Sequence, residues 1–262
     1  MYEMDITLPR SAFTPREVAR AGDVWRAFQD VAVGGSSLAG WPPERYRAEG
    51  VSFIVRSMVV VHHRETVFGE PLRGTTWPSD FKRGMFFRRE CRLRTPDGPV
   101  ASATQQWVHV AADVTLARAS DALVACFAVE AHDPPVELPS HDPVDAPLEH
   151  EMELECWHTW MDPLGHVNHP VYVDWADEAL ARWLAARGID PARMRPVAES
   201  ARFKSGVVGG ERVRVATRLT GRHGDAAVFT HAMSVGDRAV AQVTTMRALD
   251  GDGPPLVDRL AG

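Results

Sequence analysis

Residues 149–186 read EHEMELECWHTWMDPLGHVNHPVYVDWADEALARWLAA, and the change of period inside this stretch decides the fold. Glu149–His158 alternates, with Met152, Leu154 and Cys156 on one side, as a half-buried strand does. A Gly/Pro turn follows. From about Pro170 to Ala186 the apolar residues Tyr172, Trp175, Ala176, Ala179 and Trp183 fall at helical spacing on one face. Pro170 suits the first turn of a helix, where its missing amide would have had no partner, and Gly188 suits the stop.

Downstream, four strand-like runs are separated by glycine-containing breaks: about Val197–Lys204, Arg212–Thr220, Ala226–Ser234 and Arg238–Ala248. The first half repeats the order. A strand near Tyr2–Leu8 precedes a helix over about Asp23–Leu38, which carries Val24, Trp25, Phe28, Val31 and Ala32. Strands follow over about Val51–His62, Leu72–Asp80, Met85–Leu93 and Val100–Ala111. Between the halves, EAHDPPVELPSHDPVDAPL has no helical or strand period, and its prolines deny the backbone donors. The expected organisation is an N-terminal domain over 1–130 that shapes the pocket, a linker over 131–148, and a C-terminal domain over 149–250 that carries the active site. A long amphipathic helix followed by an antiparallel meander must bury its stripe against the sheet. The expected class is therefore α+β: a tandem (double) hot-dog fold, each unit an antiparallel sheet wrapped around a central helix. Two such units in one chain would pair as a pseudo-dimer, so either a monomer or a homodimer is compatible.

Of the 262 residues 45% are hydrophobic and 24% charged, as in globular domains, and the formal net charge is -6. An acidic chain without a concentrated basic face argues against nucleic acid as partner. The N-terminus is acidic, and the apolar run Val51–Val61 is broken by Arg56 and too short to span a bilayer, so no membrane partner is expected. Cys91, Cys126 and Cys156 are widely spaced and odd in number, which suggests reduced thiols and a cytoplasmic setting. His62, His63 and His158 lack metal-ligand spacing, and no phosphate-binding glycine motif or nucleophile elbow is present, so neither metal nor cofactor is expected.

The run Asp162-Pro163-Leu164-Gly165-His166-Val167-Asn168-His169-Pro170-Val171-Tyr172, with Trp175 and Glu178 beyond it, resembles the turn into the central helix of 4-hydroxybenzoyl-CoA thioesterase-like hot-dog hydrolases. The first half resembles acyl-ACP thioesterases of the FatA-like type at Val55–Met58, Gly69–Leu72, Thr76-Trp77, Arg88-Arg89 and Ala103–Val108. Two departures stand out. Leu164 occupies the place of an asparagine in the plant-type turn. Phe203–Val208 lacks the Glu-Cys pair those enzymes carry after the next strand. Asp162, His166 and Asn168 match and the remainder of the plant-type set does not, which moves the expectation toward the single-carboxylate mechanism of the benzoyl-CoA type.

The resemblance implies hydrolysis of an acyl-CoA or acyl-ACP thioester, as in fatty acid and lipid metabolism. Such hydrolysis needs attack on the carbonyl and stabilisation of the oxyanion. Asp162 is the expected nucleophile or general base, against a competing role as turn or cap residue. Glu178 is a second candidate acid, against a solvated helix face. His166 and Asn168 are expected assistants, Asn168 also being a good N-cap. Gly165, Val167, His169 and Tyr172 are expected at the substrate by family position, although Tyr172 also lies on the apolar helix face. Unpaired N–H groups at the helix start would hold the oxyanion, and Gly165 would let the backbone approach substrate. The first half has no such turn, and Gly34-Gly35 stands where the FatA-like helix often carries a histidine, so a single active site is expected. The basic residues Lys82-Arg83 and Arg88-Arg89 are either a meeting point for a phosphopantetheine or acidic carrier or a solvated strand edge. The rival readings are an enoyl-thioester hydratase or dehydratase on the same fold and a non-catalytic acyl-thioester-binding protein.

Overall fold

The computed structural model describes residues 1–145 and 148–261, so Ala146 and Pro147 of the proline-rich stretch lie outside the described residues. The chain divides into two compact units. One comprises Met1–Ser11 with Val24–Glu137, the other Ala12–Asp23 with Leu138–Gly262.

In the first unit, β1 (Tyr2–Ile6), β2 (Val51–His62), β3 (Leu72–Lys82), β4 (Phe86–Thr95) and β5 (Gly98–Ala111) form an antiparallel sheet in the order β1-β3-β4-β5-β2. Helix α1 (Ala21–Leu38) lies against it. The approach is close because the sheet offers glycine: a Cβ on Gly74 would stand 2.2 Å from Val31 of α1, and one on Gly35 of α1 would stand 2.5 Å from Thr76. Buried donors reach the helix backbone from the sheet. Gln105 donates to the Phe28 carbonyl at 3.2 Å, and Arg89 donates to the Ala32 carbonyl and to Ser36 Oγ. The basic pair therefore splits: Arg89 is buried under α1, while Arg88, one residue earlier on the strand, faces the other way. Two short helices, α2 (Pro43–Ala48) and α3 (Asp121–Cys126), close a cluster of Trp41, Phe87, Leu123 and Phe127.

In the second unit, β7 (Glu149–Glu155), β8 (Met194–Phe203), β9 (Arg212–His223), β10 (Ala226–Val235) and β11 (Arg238–Leu249) pair in the order β7-β9-β10-β11-β8, the same order as the first. A two-residue strand, β6 (Asp142–Pro143), also pairs with β9. Helix α4 (Val171–Ala185) packs on β7, β9 and β11, and the helix stripe read from the sequence is buried throughout. Trp183 anchors it, edge-on to Phe229 at 5.8 Å and stacked on His150 at 5.7 Å. Helix α5 (Leu256–Ala261) adds Leu256, Val257 and Leu260 to this core. Arg16 ties residues 12–23 to the unit by donating to the carbonyls of Ala192 and Met194 and pairing with Asp250.

The tandem hot-dog arrangement is thus formed, and the long elements follow the sequence reading to within a few residues. The six-residue helices α2, α3 and α5 and the two-residue β6 are too short to show a period, which is why the sequence did not announce them. Among the described residues no helix is long and apolar enough to cross a membrane.

Candidate active site

The turn into α4 is organised by its own chemistry. Met161 and Val167 form an isolated antiparallel bridge. Inside it, the Asp162 amide donates to the His166 carbonyl at 2.7 Å and the Gly165 amide to the Asp162 carbonyl at 3.0 Å. Aspartate first, proline second and glycine fourth is the preferred composition of such a turn, and Gly165 takes the left-handed conformation, φ 78°, that closes the bulge. A Cβ at Gly165 would meet nothing within 4 Å. The glycine therefore supplies the sign of φ, and the expected close approach to a substrate is not what requires it. Asp162 caps its own turn, its Oδ1 accepting the Leu164 amide at 2.8 Å. The competing turn role is therefore real, and it fixes where the carboxylate points.

The turn is pinned to the β8–β9 loop of the same unit. Val167 donates to the Val207 carbonyl at 2.8 Å, and Gly210 donates to the Cys156 carbonyl at 2.7 Å; within the turn itself, Asn168 donates to the Trp160 carbonyl at 2.9 Å. Two histidines approach two loop glycines closely. A Cβ on Gly206 would stand 2.2 Å from His166 Cδ2, and one on Gly209 would stand 2.5 Å from His158 Nδ1. The stretch 203–208, which the sequence offered only as the absence of a Glu-Cys pair, is thus the floor beneath His166. A glycine at a strand end was the available signal. The sequence offered His158 only as a histidine without metal-ligand spacing, and Gly206 only as part of the 203–208 stretch.

Burial raises the Asp162 carboxyl above its ordinary value, opposed by the amides of Leu164 and His166 and by the nearby His166 ring. Asp162 and His166 are both half-buried and brought together. Three exposed apolar side chains lie on the same turn and loop: Trp157, Leu164 and Val208, with Trp157 stacked on Trp160 at 4.9 Å. Val167 is buried, and Tyr172 is packed between Trp175 at 4.9 Å and Phe203 at 5.2 Å, which makes it core. His169 meets Phe203 edge-on at 6.0 Å.

Two expectations change. Glu178 is solvent-exposed and paired with Arg182 at 2.7 Å, so it stands apart from Asp162 on the outer face of α4. Its neighbour Asp177 points inward instead, accepting from Arg247 Nε at 2.8 Å, and Arg247 also pairs with the fully buried Glu199. Beside this network His231 is buried between the Thr217 and Thr245 hydroxyls, each 2.9 Å away, and burial pushes its imidazole pKa down to about 3. The second change concerns oxyanion donors. The amides of Val171, Tyr172 and Val173 already donate to the carbonyls of Asn168, His169 and Pro170, so the helix offers its dipole there rather than three open N–H groups.

The arrangement suits proton transfer by a carboxylate with an imidazole beside it. Cys156 does not suit nucleophilic attack: burial raises its thiol further from ionisation. Among the described residues no group of three or more His, Cys, Asp or Glu side chains is placed to hold a metal ion.

Residues 156–249 match the family model described as the Thioesterase-like superfamily, so the stretch from the turn to the end of β11 carries that family's pattern. No curated protein sequence matches the chain. Among solved structures, a protein described as an oleoyl thioesterase from Lactobacillus plantarum superposes with TM-score 0.78 at 19% identity, over 96% of this chain and 97% of the other. The 12:0-ACP thioesterase from Umbellularia californica gives 0.74 at 13%, over 95% and 94%. An acyl-ACP thioesterase from Bacteroides thetaiotaomicron gives 0.73 at 13%, over 94% and 97%. At these identities the likeness shows the fold, two hot-dog units in one chain.

Proposed function

We propose that this protein is an acyl thioesterase that hydrolyses acyl-CoA or acyl-ACP thioesters to free acid and thiol. The observation that carries the reading is the Asp162 carboxylate, held by its own turn beside His166 on the segment matched by the thioesterase-like family model. In the reaction Asp162 takes a proton from water as the water oxygen bonds to the thioester carbonyl carbon. The carbonyl oxygen gains the negative charge, toward which the positive end of the α4 dipole is favourable. The C–S bond then breaks, the carbonyl re-forms, and the thiolate takes a proton back from the Asp162–His166 pair. A raised carboxyl pKa improves the base, because proton affinity and working pH come closer together. The exposed Trp157, Leu164 and Val208 offer an apolar lip to an acyl group.

The test is thiol release from a panel of acyl-CoA and acyl-ACP substrates by wild type and Asp162→Asn. Asparagine can still accept the Leu164 amide, so the turn survives while the base is lost. A fall of about 10²-fold or more supports the reading. Equal rates remove Asp162 from the mechanism, and hydration of enoyl thioesters without thiol release replaces the hydrolase with a hydratase.

A further inference from the structure

The loop between β8 and β9 meets two opposed demands. His166 and His158 come so close to it that Gly206 and Gly209 leave no room for a side chain. With Gly210, three of the eight residues 204–211 are then glycine, the residue that loses most backbone freedom when held in one conformation. A floor for His166 built from such chain has to be held from outside.

Arg238, the first residue of β11, and Glu211, the residue before β9, hold it. One guanidinium nitrogen of Arg238 donates to the Gly206 carbonyl at 2.5 Å and to Ser205 Oγ at 3.1 Å, and the other donates to Glu211 Oε1 at 2.6 Å. Ser205 Oγ in turn donates to the Ala239 carbonyl at 3.1 Å. The second oxygen of Glu211 accepts the Val208 amide at 2.9 Å. One ion pair thereby ties the loop at residues 205, 206, 208 and 211. Val207, enclosed by these ties, receives the Val167 amide of the turn at 2.8 Å. The rigid fork of arginine suits a task in which one side chain fixes three acceptors. The pair is 39% and 26% exposed, and so accessible a pair adds little to folding.

We infer that Arg238 and Glu211 are positioning residues for the hydrolysis proposed above, holding the loop so that Gly206 keeps the His166 ring beside Asp162. The inference rests on that reading of the site, and neither residue touches a reacting atom. Once the pair is broken, the glycines let the loop move, His166 loses its floor, and the Asp162 carboxyl gains water.

Thiol release by wild type, Arg238→Gln, His166→Ala and the double variant tests this. Arg238→Gln is expected to lower kcat about 10–10²-fold, as a small misplacement of a catalytic group does. In the His166→Ala background it should cost nothing further, because it acts through the ring already removed. Glu211→Gln keeps an oxygen for the Val208 amide and loses the charge that holds Arg238. It replaces Arg238→Gln in the cycle if that variant melts more than about 4 °C below wild type. Carbon-13 titration of the Asp162 carboxyl reads the positioning without turnover. Burial holds that carboxyl above its ordinary pKa in wild type, and in the variant its midpoint should move down toward the ordinary value. A wild-type rate, an equal loss with and without His166, an unmoved Asp162 midpoint, or failure of both variants to fold would each overturn the inference. If wild type releases no thiol from any thioester, the hydrolase reading fails, and the Asp162 titration alone decides the positioning.

Discussion

Replacing Gly206 by alanine tests the candidate site without touching any group that does chemistry. The added Cβ would stand 2.2 Å from Cδ2 and 2.7 Å from Cγ of His166. Carbon atoms in contact sit about 3.5–4.0 Å apart, so the overlap exceeds an ångström and breathing cannot absorb it. Gly206 is not among the glycines with positive φ, so alanine is compatible with the backbone there and the clash is the whole effect. His166 is half-buried and has solvent to swing into, so the cost to stability is one displaced rotamer, about 0.5–1.5 kcal/mol. In a chain of this size that lowers the melting temperature by only a few degrees, about 2–4 °C per kcal/mol. Activity should fall much further. With the ring moved away, Asp162 loses its electrostatic neighbour, and the rate drops toward that of His166→Ala, about 10²-fold below wild type. The double variant Gly206→Ala/His166→Ala should then be no slower than His166→Ala alone, because the two changes remove the same thing. Thiol-release rates of the four proteins, with melts on each, complete the cycle. A wild-type rate for Gly206→Ala, or additive losses in the double variant, would refute the coupling between the loop and His166.

Three other outcomes follow from the same structure. Glu178→Gln removes an exposed pair with Arg182, so urea unfolding should shift by under about 0.5 kcal/mol and thiol release should be unchanged; a tenfold slower enzyme would return Glu178 to the site. Arg247→Met leaves Glu199 charged and buried without its partner, at a cost of about 3–5 kcal/mol in urea unfolding. Adding Glu199→Met should recover part of that loss, and a single variant within about 1 kcal/mol of wild type would contradict the network. His231 is held neutral, with a folded pKa of about 3 against an ordinary value of 6.5. The unfolded chain therefore takes up its proton first as pH falls, and stability should decline from about pH 6.5 toward 3 with a slope of up to about 1.4 kcal/mol per pH unit from this group. Urea midpoints between pH 7.5 and 4.5 should fall less steeply in His231→Gln, and identical slopes would exclude His231 as a source of the acid sensitivity.

Much of the fold was legible because it rests on local periods. Alternation marked the long strands and a 3.6-residue repeat marked α1 and α4, since each side chain's face is set by its own backbone geometry. The turn was legible for the same reason: Asp162, Pro163 and Gly165 each satisfy a demand made within four residues. What the sequence could not decide was orientation finer than a helical step. Asp177 and Glu178 differ by one position, yet one meets Arg247 in the interior and the other meets Arg182 in water. That choice depends on where β11 carries its arginine, seventy positions away. The floor under His166 belongs to the same kind of fact, because Gly206 matters only once β8 delivers its loop to the turn. So does the hold on that loop, where Arg238 of β11 reaches Gly206 and Glu211. The sequence by itself determined the order of elements and the chemistry of the turn. Only the tertiary structure decided which of the carboxylates, histidines and arginines meet, because those contacts are made across strands and loops whose separation along the chain no local period records.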